Sequence, residues 1–277
     1  NYVVPPAGAA RVVTVHDLTF LHHPEFCTAD VLQYPALLRR AIDKGAWVHT
    51  ISDFVRDEVI DLLDVDPERV VTVPLGVTLP ERRDAARGRA LAGGHPYVLA
   101  VGTVEPRKDL PNLVAAFDRL GDAHPDLRLV IAGPDGWGAD ELAAALARAT
   151  HSARVHRLGF ISETDRGDLV EGAAAVAVPS VYEGFGLVAA EAMLAGTPVV
   201  ASSVGAHREV VGDAGLLVAP GDPEALADAL DRVVTDGELV RRLRAAGPAR
   251  AATFTWDRTA DGMVDLWRAA VAGHAAP

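Results

Sequence analysis

Two glutamates, Glu183 and Glu191, stand eight positions apart around a glycine-containing turn. The apolar run 174–178 before the turn predicts a strand, and the alanine-rich run that begins at Leu187 predicts a helix. The first N–H groups of a helix have no partner inside it, so a strand, a turn and a helix start form an anion site. A phosphate on those amides, with hydroxyls on the two carboxylates, is the arrangement that a sugar nucleotide needs.

Two adjacent cations, Arg107 and Lys108, precede a second predicted helix, 110–120, which Asp109 is expected to cap. The positive end of a helix dipole repels basic residues, so the pair is unfavourable there unless an anion is present. Charge-assisted bonds from these cations would stabilise the charge on a diphosphate. These residue types also have a purely structural interpretation. In it Glu183 caps a helix, Glu191 is a solvated helix residue, and Arg107 and Lys108 are surface charges.

Composition excludes several classes of protein. The 277 residues are 49% apolar and carry a net charge of −12, which argues against a nucleic-acid-binding protein. Cys27 is the single cysteine, so no intrachain disulfide forms and a reducing, cytoplasmic location is expected. No apolar run reaches the ~20 residues of a membrane span, so we expect at most peripheral membrane association.

The elements that must position these residues alternate between apolar strands and amphipathic helices, which predicts parallel α/β sheets covered on both faces. We expect a partial α/β domain over 1–80, a complete doubly wound, Rossmann-like domain over 81–253, and a helix over 254–277 that crosses back to the first domain. The segment 75–80, which contains glycine and proline and is followed by a charged, alanine-rich stretch up to residue 94, is interpreted as the boundary. The predicted strands are 11–15, 47–51, 70–74, 97–101, 127–132, 155–158, 174–178, 198–201 and 216–218. The predicted helices are 29–44 with a kink at Pro35, 54–63, 110–120, 139–150, 162–172, 187–195, 206–211, 223–235, 238–252 and 256–272.

Five stretches, in order, resemble the motifs of the retaining glycosyltransferases of the GT-B fold, in the large family-four group that includes bacterial mannosyl- and glucosyltransferases. The stretch 182–191 resembles the Glu-x7-Glu signature of that family, and 101–109 resembles its phosphate-binding loop. The stretch 13–17 resembles the acceptor-domain strand that ends in a functional histidine, 73–77 the interdomain linker, and 254–256 the crossing point. The resemblance covers nearly the whole chain.

The resemblance implies a role for each matching residue. Glu191 corresponds to the carboxylate that accepts the ribose hydroxyls, and Glu183 to the one that holds hydroxyls of the transferred hexose. His16 corresponds to the histidine that contacts the donor sugar near the reacting carbon, although a lone histidine at a strand end is more often structural. The remaining implied donor contacts are Arg107 and Lys108 at the diphosphate, Gly102 beside the phosphates, Phe160 and Ile161 at the base, and the backbone of Gly184, Phe185, Gly186 and Leu187 along sugar and phosphate.

The same resemblance implies an enzyme that moves a hexose from a nucleotide diphosphate sugar to a sugar-containing or lipid-linked acceptor with retention. GDP-mannose is the first choice of donor and a UDP-sugar the next. We find no Asp-x-Asp pair in a suitable loop, and Arg107 and Lys108 can take the place of a metal, so no metal or cofactor is expected. No residue is identified as a nucleophile.

The segment before His16 departs from the family pattern, because about half of a first Rossmann-like domain is expected and not found there. Three explanations are open. The sequence is a fragment, the missing part is disordered or lies on another chain, or the protein is naturally reduced. The alternative function is therefore a non-catalytic nucleotide-sugar-binding module, or one half of a two-chain transferase.

Overall fold

A computed structural model describes residues 8–274. Its strands are β1 (Val12–Val15), β2 (Trp47–Thr50), β3 (Val70–Thr72), β4 (Tyr97–Val101), β5 (Arg128–Ala132), β6 (Val155–Gly159), β7 (Ala175–Val178), β8 (Val199–Ser202) and β9 (Leu216–Val218). Its α-helices are α1 (Thr19–His22), α2 (Tyr34–Asp43), α3 (Asp53–Leu63), α4 (Ala85–Leu91), α5 (Leu110–Leu120), α6 (Ala139–Arg148), α7 (Glu163–Gly172), α8 (Leu187–Leu194), α9 (His207–Val210), α10 (Pro223–Thr235), α11 (Gly237–Ala251) and α12 (Trp256–His274). Short 3-10 helices occupy Pro24–Phe26, Val31–Gln33, Pro67–Arg69, Pro106–Lys108, Ser152–Arg154 and Gly212–Ala214.

The described residues fold into two compact units. The first comprises residues 8–76, 183–185 and 254–274, and the second comprises 77–182 and 186–253. The first three residues of the glutamate motif, 183–185, therefore belong to the first unit, whereas the residues on either side of them belong to the second.

The first unit contains a parallel three-stranded sheet with β2 at its centre. Its register aligns Val13 with Val48 and Val48 with Val70, and all three side chains are buried. Leu38 of α2 and Val55 of α3 complete this core. Short runs of β-branched residues form these strands because such side chains pack well on a pleated surface.

The second unit contains a parallel six-stranded sheet in the order β6-β5-β4-β7-β8-β9. The chain moves outward from β4 through β5 and β6, and then returns to β7 on the other side of β4. The loops that leave β4 and β7 consequently diverge, and ligands bind at such topological switch points in open α/β sheets. Helices cover the sheet, and their core includes Leu113 and Phe117 of α5, Leu129 of β5, and Leu226 and Leu230 of α10.

One predicted helix starts later than expected. Residues 29–44 form a 3-10 turn at Val31–Gln33 followed by α2, which begins at Tyr34 with Pro35 in its first turn. A proline lacks the backbone N–H that a helix interior needs but is favoured in the first turn, where that N–H has no intrahelical acceptor. The expected kink at Pro35 is therefore wrong, and the proline marks the helix start.

The charged stretch before residue 94 contains α4, a helix that the sequence interpretation missed. The Asp84 carboxylate caps it by accepting hydrogen bonds from the N–H groups of Ala86 and Arg87. Gly88 lies against α7 so closely that an added Cβ would be 1.9 Å from the carbonyl oxygen of Asp168. This backbone contact holds α4 against α7. A contact through glycine needs no apolar side chains at helical spacing, so the sequence shows no apolar periodicity here.

Helix α5 begins at the predicted residue, with Asp109 immediately before it. Asp109 occupies the N-cap position with φ of 46°, in the left-handed region, and within the described chain its side chain makes no capping hydrogen bond. Burial raises the pKa of this carboxyl to about 6. The predicted N-cap position of Asp109 is therefore confirmed, and the residue carries a half-buried charge at neutral pH.

We predict that Gly88→Ala destabilises the protein by about 2–3 kcal/mol, because the new methyl group meets the α7 backbone, which cannot move as a side chain can. Chemical denaturation measures the change. Gly237→Ala is the matched control, since its Cβ would meet only the Arg241 guanidinium at 3.7 Å. Equal stability of the Gly88 variant and the parent protein would contradict the packing described for α4.

We predict that Asp109→Asn stabilises the protein at pH 8 by about 1 kcal/mol, a value reduced for solvent access to the half-buried group. The raised pKa means that folding disfavours the charged carboxylate above about pH 6. The gain should disappear as the pH falls below about 4, where aspartate is neutral in both states.

Denaturation at pH 8 and pH 4 measures this effect, and Asp64→Asn is its control. Asp64 shares the left-handed backbone, with φ of 49°, but is exposed. Asparagine adopts this conformation readily, so a gain common to both variants and independent of pH would arise from the backbone. That result would contradict the electrostatic explanation for Asp109.

Candidate functional site

A narrow cavity opens at the switch point between β4 and β7. It is lined by the end of β4 with Gly102 and Thr103, by the end of β7 with Pro179 and Ser180, and by Lys108. Each of these loops leaves the carboxyl end of its strand, so the cavity lies at the edge where open α/β sheets bind ligands.

Close backbone packing fixes the loop after β4. Gly102 has φ of 140°, and a Cβ at the neighbouring Gly133 would be 2.0 Å from the Gly102 carbonyl oxygen. The Val104 N–H donates to the Pro134 carbonyl over 3.0 Å. The glycines allow the loops after β4 and β5 to touch, and the side chain of Lys108 extends to within 3.6 Å of the Cβ position at Gly102.

Arg107 joins the loops that follow β4 and β7. Its Nη2 donates to Glu105 Oε1 over 2.7 Å, and its Nη1 donates to the Tyr182 carbonyl over 3.0 Å. The Arg107 carbonyl in turn accepts from Val181 N over 2.9 Å. The argument that this cation needs a bound anion is therefore wrong, because Glu105 supplies a carboxylate within the loop.

Helix α8 begins at Leu187, as the motif predicts, and the N–H groups of its first turn have no acceptor within the helix. Gly186 stands at the N-cap position with φ of 96°, and an added Cβ would be 2.7 Å from Cδ2 of His207. Both the dihedral angle and the buried imidazole require glycine there. Leu187, the first helical residue, is 41% exposed. The N-terminal turn of α8 is thus a rigid element with the partial positive charge of a helix start.

Glu191 lies on α8 and is only 7% exposed. Arg166 of α7 donates from a single nitrogen, Nη1, to Oε1 over 2.8 Å and to Oε2 over 2.9 Å. Burial raises the pKa of the Glu191 carboxyl, and Arg166 opposes that shift. The sequence interpretation assigned no role to Arg166, which stands 25 positions from its partner in a segment treated only as a connecting helix.

The residues 183–185 make their contacts in the first unit. The Gly184 carbonyl accepts from Ser52 Oγ over 2.7 Å, and Ser52 also caps α3 by accepting from Val55 N. The Phe185 ring packs edge-on against Phe254, with centroids 5.3 Å apart. Glu183 is 7% exposed. Ser52 and Phe254 are anchors of this segment, and the sequence interpretation had placed Phe254 only at the crossing point.

His16 follows β1 and lies beside the same segment. An added Cβ at Gly184 would be 1.9 Å from the His16 carbonyl oxygen, so only glycine fits this approach. Burial lowers the pKa of the His16 imidazole, and Asp17 opposes the shift, so the ring is neutral at pH 7. The neighbouring His49 is held as one tautomer, with Nε2 donating to the Val73 carbonyl over 2.9 Å.

The two residues expected at the base follow β6. Phe160 is 82% exposed and Ile161 is half-buried. The structure thus distributes the predicted site between its units. The first unit holds His16, Glu183, Gly184 and Phe185, and the second holds Gly102, Arg107, Lys108, Phe160, Ile161, Gly186, Leu187 and Glu191.

Within residues 8–274 no helix combines the length and the hydropathy required to cross a membrane. The same residues include no group of three or more histidine, cysteine or acidic side chains arranged to hold a metal ion.

Comparison with known proteins identifies the family. Residues 81–250 match the family described as glycosyl transferases group 1. The O-antigen chain mannosyltransferase B of Escherichia coli is 30% identical over 97% of this chain and 72% of its own length. A D-inositol 3-phosphate glycosyltransferase of Frankia alni is 38% identical over 78% of this chain, and the match spans 57% of that relative.

A solved structure gives the same result for the fold. The sucrose-phosphate synthase from Thermosynechococcus elongatus superposes with a TM-score of 0.79 and 27% identity, over 95% of this chain and 68% of that one. The predicted α/β fold of GT-B type, with a Rossmann-like parallel sheet and a smaller second sheet, is confirmed. The chain belongs to the glycosyl transferases group 1 family, among the GT-B hexosyltransferase enzymes.

Proposed function

We propose that this protein is a retaining hexosyltransferase that moves a hexose from a nucleotide diphosphate sugar to a sugar-containing or lipid-linked acceptor without a metal ion. The observation that carries the proposal is the buried Glu191 on α8, a helix that starts where the chain leaves the switch point of the six-stranded sheet. A helix start suits phosphate, and a carboxylate further along the same helix suits the hydroxyls of an attached sugar.

The proposed diphosphate contacts are Arg107, Lys108 and the N-terminal turn of α8. Negative charge grows on the leaving diphosphate as the glycosidic bond breaks, and donors already fixed in place stabilise it without reorganisation. Arg107 is held by Glu105 and by the Tyr182 carbonyl, which supports a preorganised role. Removal of one such donor typically raises the barrier by about 3–4 kcal/mol.

The proposed sugar contacts differ for the two glutamates. Glu191 accepts hydrogen bonds from the ribose hydroxyls, and Glu183 accepts them from the transferred hexose. Neutral His16 contacts the donor sugar near its reacting carbon. Main-chain groups near Phe160 and Ile161 contact the base. These roles follow the family resemblance and agree with the burial of both carboxylates.

The proposed chemistry requires no protein nucleophile. The bond from the anomeric carbon to the diphosphate oxygen breaks, and the acceptor oxygen bonds to the same face of that carbon. The acceptor's proton passes to an oxygen of the leaving diphosphate. The protein positions both substrates and stabilises the developing charge, which is how binding energy accelerates a group transfer.

The name of the Escherichia coli relative, a mannosyltransferase, supports mannose as the transferred sugar. GDP-mannose therefore remains the first donor to test, and UDP-glucose and UDP-N-acetylglucosamine follow. The name of the Frankia alni relative indicates that acceptors in this family include a phosphorylated polyol. A sugar or polyol hydroxyl is accordingly the acceptor class that we propose.

We predict that the purified protein releases nucleoside diphosphate from one of the three donors when an acceptor extract is present, with or without EDTA. Coupled detection of released GDP or UDP measures this reaction. Binding without release in every acceptor mixture would favour a nucleotide-sugar-binding module. Failure to bind any of the three donors would contradict the proposed function, and loss of release in EDTA would contradict metal independence.

We predict that Glu191→Gln weakens binding of GDP or UDP about tenfold, because an amide accepts less strongly from hydroxyls than a carboxylate does. Glu183→Gln should leave that binding within about twofold and lower turnover about a hundredfold, as it acts on the hexose. Calorimetric titration and nucleotide release separate the two effects.

Glu224→Gln is the control for both substitutions, since Glu224 is an exposed glutamate in the first turn of α10. Equal weakening of nucleotide binding by the Glu183 and Glu191 substitutions would contradict the proposed division of roles.

A further inference from the structure

Helix α7 presents opposite faces to two neighbours. Asp168, 3% exposed, accepts hydrogen bonds from Asp84 N and from the Arg87 guanidinium at the start of α4. Arg166, two residues earlier, extends to Glu191 on α8. Two positions on a helix are separated by about 200°, so these side chains leave α7 on opposite sides.

We propose that Arg166 is a positioning residue of the nucleotide site, which holds the Glu191 carboxylate charged and in a fixed position for the ribose hydroxyls. This inference rests on the proposed function and adds a residue to it. Arg166 acts through Glu191 and needs no contact of its own with the nucleotide.

The geometry of the pair leaves Glu191 able to accept further hydrogen bonds. A carboxylate offers about four lone-pair positions on its two oxygens. One arginine nitrogen lies 2.8 Å from Oε1 and 2.9 Å from Oε2, so it uses one position on each oxygen. The remaining position on each oxygen fits one hydroxyl, and a ribose presents two adjacent hydroxyls. A single nitrogen at nearly equal distances from both oxygens fixes the position of the carboxylate group, and the group can still turn about its terminal C–C bond to meet the two hydroxyls.

The electrostatics explain why the carboxylate needs a cation. Burial raises the pKa of Glu191, and Glu163, on the same helix as Arg166, raises it further, whereas Arg166 lowers it. A neutral carboxylic acid would lose part of its capacity to accept hydrogen bonds from a diol. Arg166 therefore preserves the charged form at neutral pH.

The other elements packed on α8 supply no competing cation at Glu191 in the structure described for residues 8–274. From α9, the buried His207 lies against Gly186 at the helix start, and its Nδ1 bonds to the Ser202 carbonyl. From α11, Gly247 packs against Met193 near the end of α8, and the Arg244 carbonyl oxygen lies 3.5 Å from the Cβ position at Gly196, which follows the helix. Strands β7 and β8 contribute alanine, valine and serine side chains.

The attachment of α7 to α4 makes Arg166 a fixed donor. Ser162 caps α7 by accepting from Asp165 N, and Arg87 pairs with both Asp165 and Asp168. Gly88 has no side chain, so the backbones of α4 and α7 touch there. A helix held along its opposite face keeps its remaining side chains within the narrow range that a binding constellation needs.

The test uses the nucleotide sugar that the unmodified protein binds best among the three donors, because its diphosphate diester does not titrate near neutral pH. We predict that Arg166→Met weakens binding about tenfold at pH 7 and that affinity recovers towards pH 8.5, as the Glu191 carboxyl ionises later. The unmodified protein should bind equally at both pH values. Arg166→Lys should restore most of the affinity at pH 7, since it retains the charge.

Two further variants identify the cause. Arg87→Met loosens α7 on its opposite face and should leave the pH profile of binding flat. Glu191→Gln should bind weakly at both pH values, and adding Arg166→Met to it should cause little further loss, because the two residues act as one unit.

The inference would be overturned if Arg166→Met lost affinity equally at both pH values and Arg166→Lys did not restore it. Unchanged affinity of Arg166→Met at both pH values would also overturn it. If Arg166→Met does not fold, a flat profile and undiminished affinity in Arg166→Gln would overturn it equally. If the unmodified protein binds none of the donors, the proposed function fails before Arg166 is tested, and the inference fails with it.

Discussion

The burial of a carboxylate on α8 is the constraint on which the candidate site depends. A buried charge is strongly destabilising unless it is paired and hydrogen-bonded, so Glu191 requires Arg166 at a fixed position. That requirement extends to α7, which must present the arginine, and to α4, which holds α7 from its other side. The need to pair the buried Glu191 thus explains why α4, a short helix without an apolar face, packs so closely against α7 through Gly88.

The local charge at the candidate site is positive, although the total charge of the chain is negative. The chain carries a net charge of −12, yet the edge of the six-stranded sheet holds Arg107, Lys108 and Arg166, together with a helix N-terminus. Electrostatic recognition of a diphosphate depends on these nearby groups, since charges more than about 10 Å away are screened by salt. Pairing with Glu105 and Glu191 fixes the two arginines, so the acidic partners contribute to geometry as much as to charge balance.

Much of the fold follows from the sequence because runs of β-branched residues and helical periodicity are local signals. The strands from β4 to β9 lie within a residue or two of their predicted ends, and Glu183, Gly186 and Glu191 fall on the predicted turn and helix. The role of Arg166 was missed because it depends on Glu191, a partner 25 positions away. Helix α4 was missed because a glycine contact stabilises it instead of an apolar face. The assignment of residues 183–185 to the first unit also has no local signal, since Ser52, which anchors Gly184, lies 132 positions earlier.

A crystal structure of the protein with its best-binding nucleoside diphosphate would test the central claim most directly. The account predicts both ribose hydroxyls within hydrogen-bond distance of Glu191, with Arg166 still paired to that carboxylate, and the diphosphate at Arg107, Lys108 and the first turn of α8. A nucleotide bound elsewhere, for example in the surface groove formed by α5 and α6, or a ribose that leaves Glu191 without a contact, would contradict it.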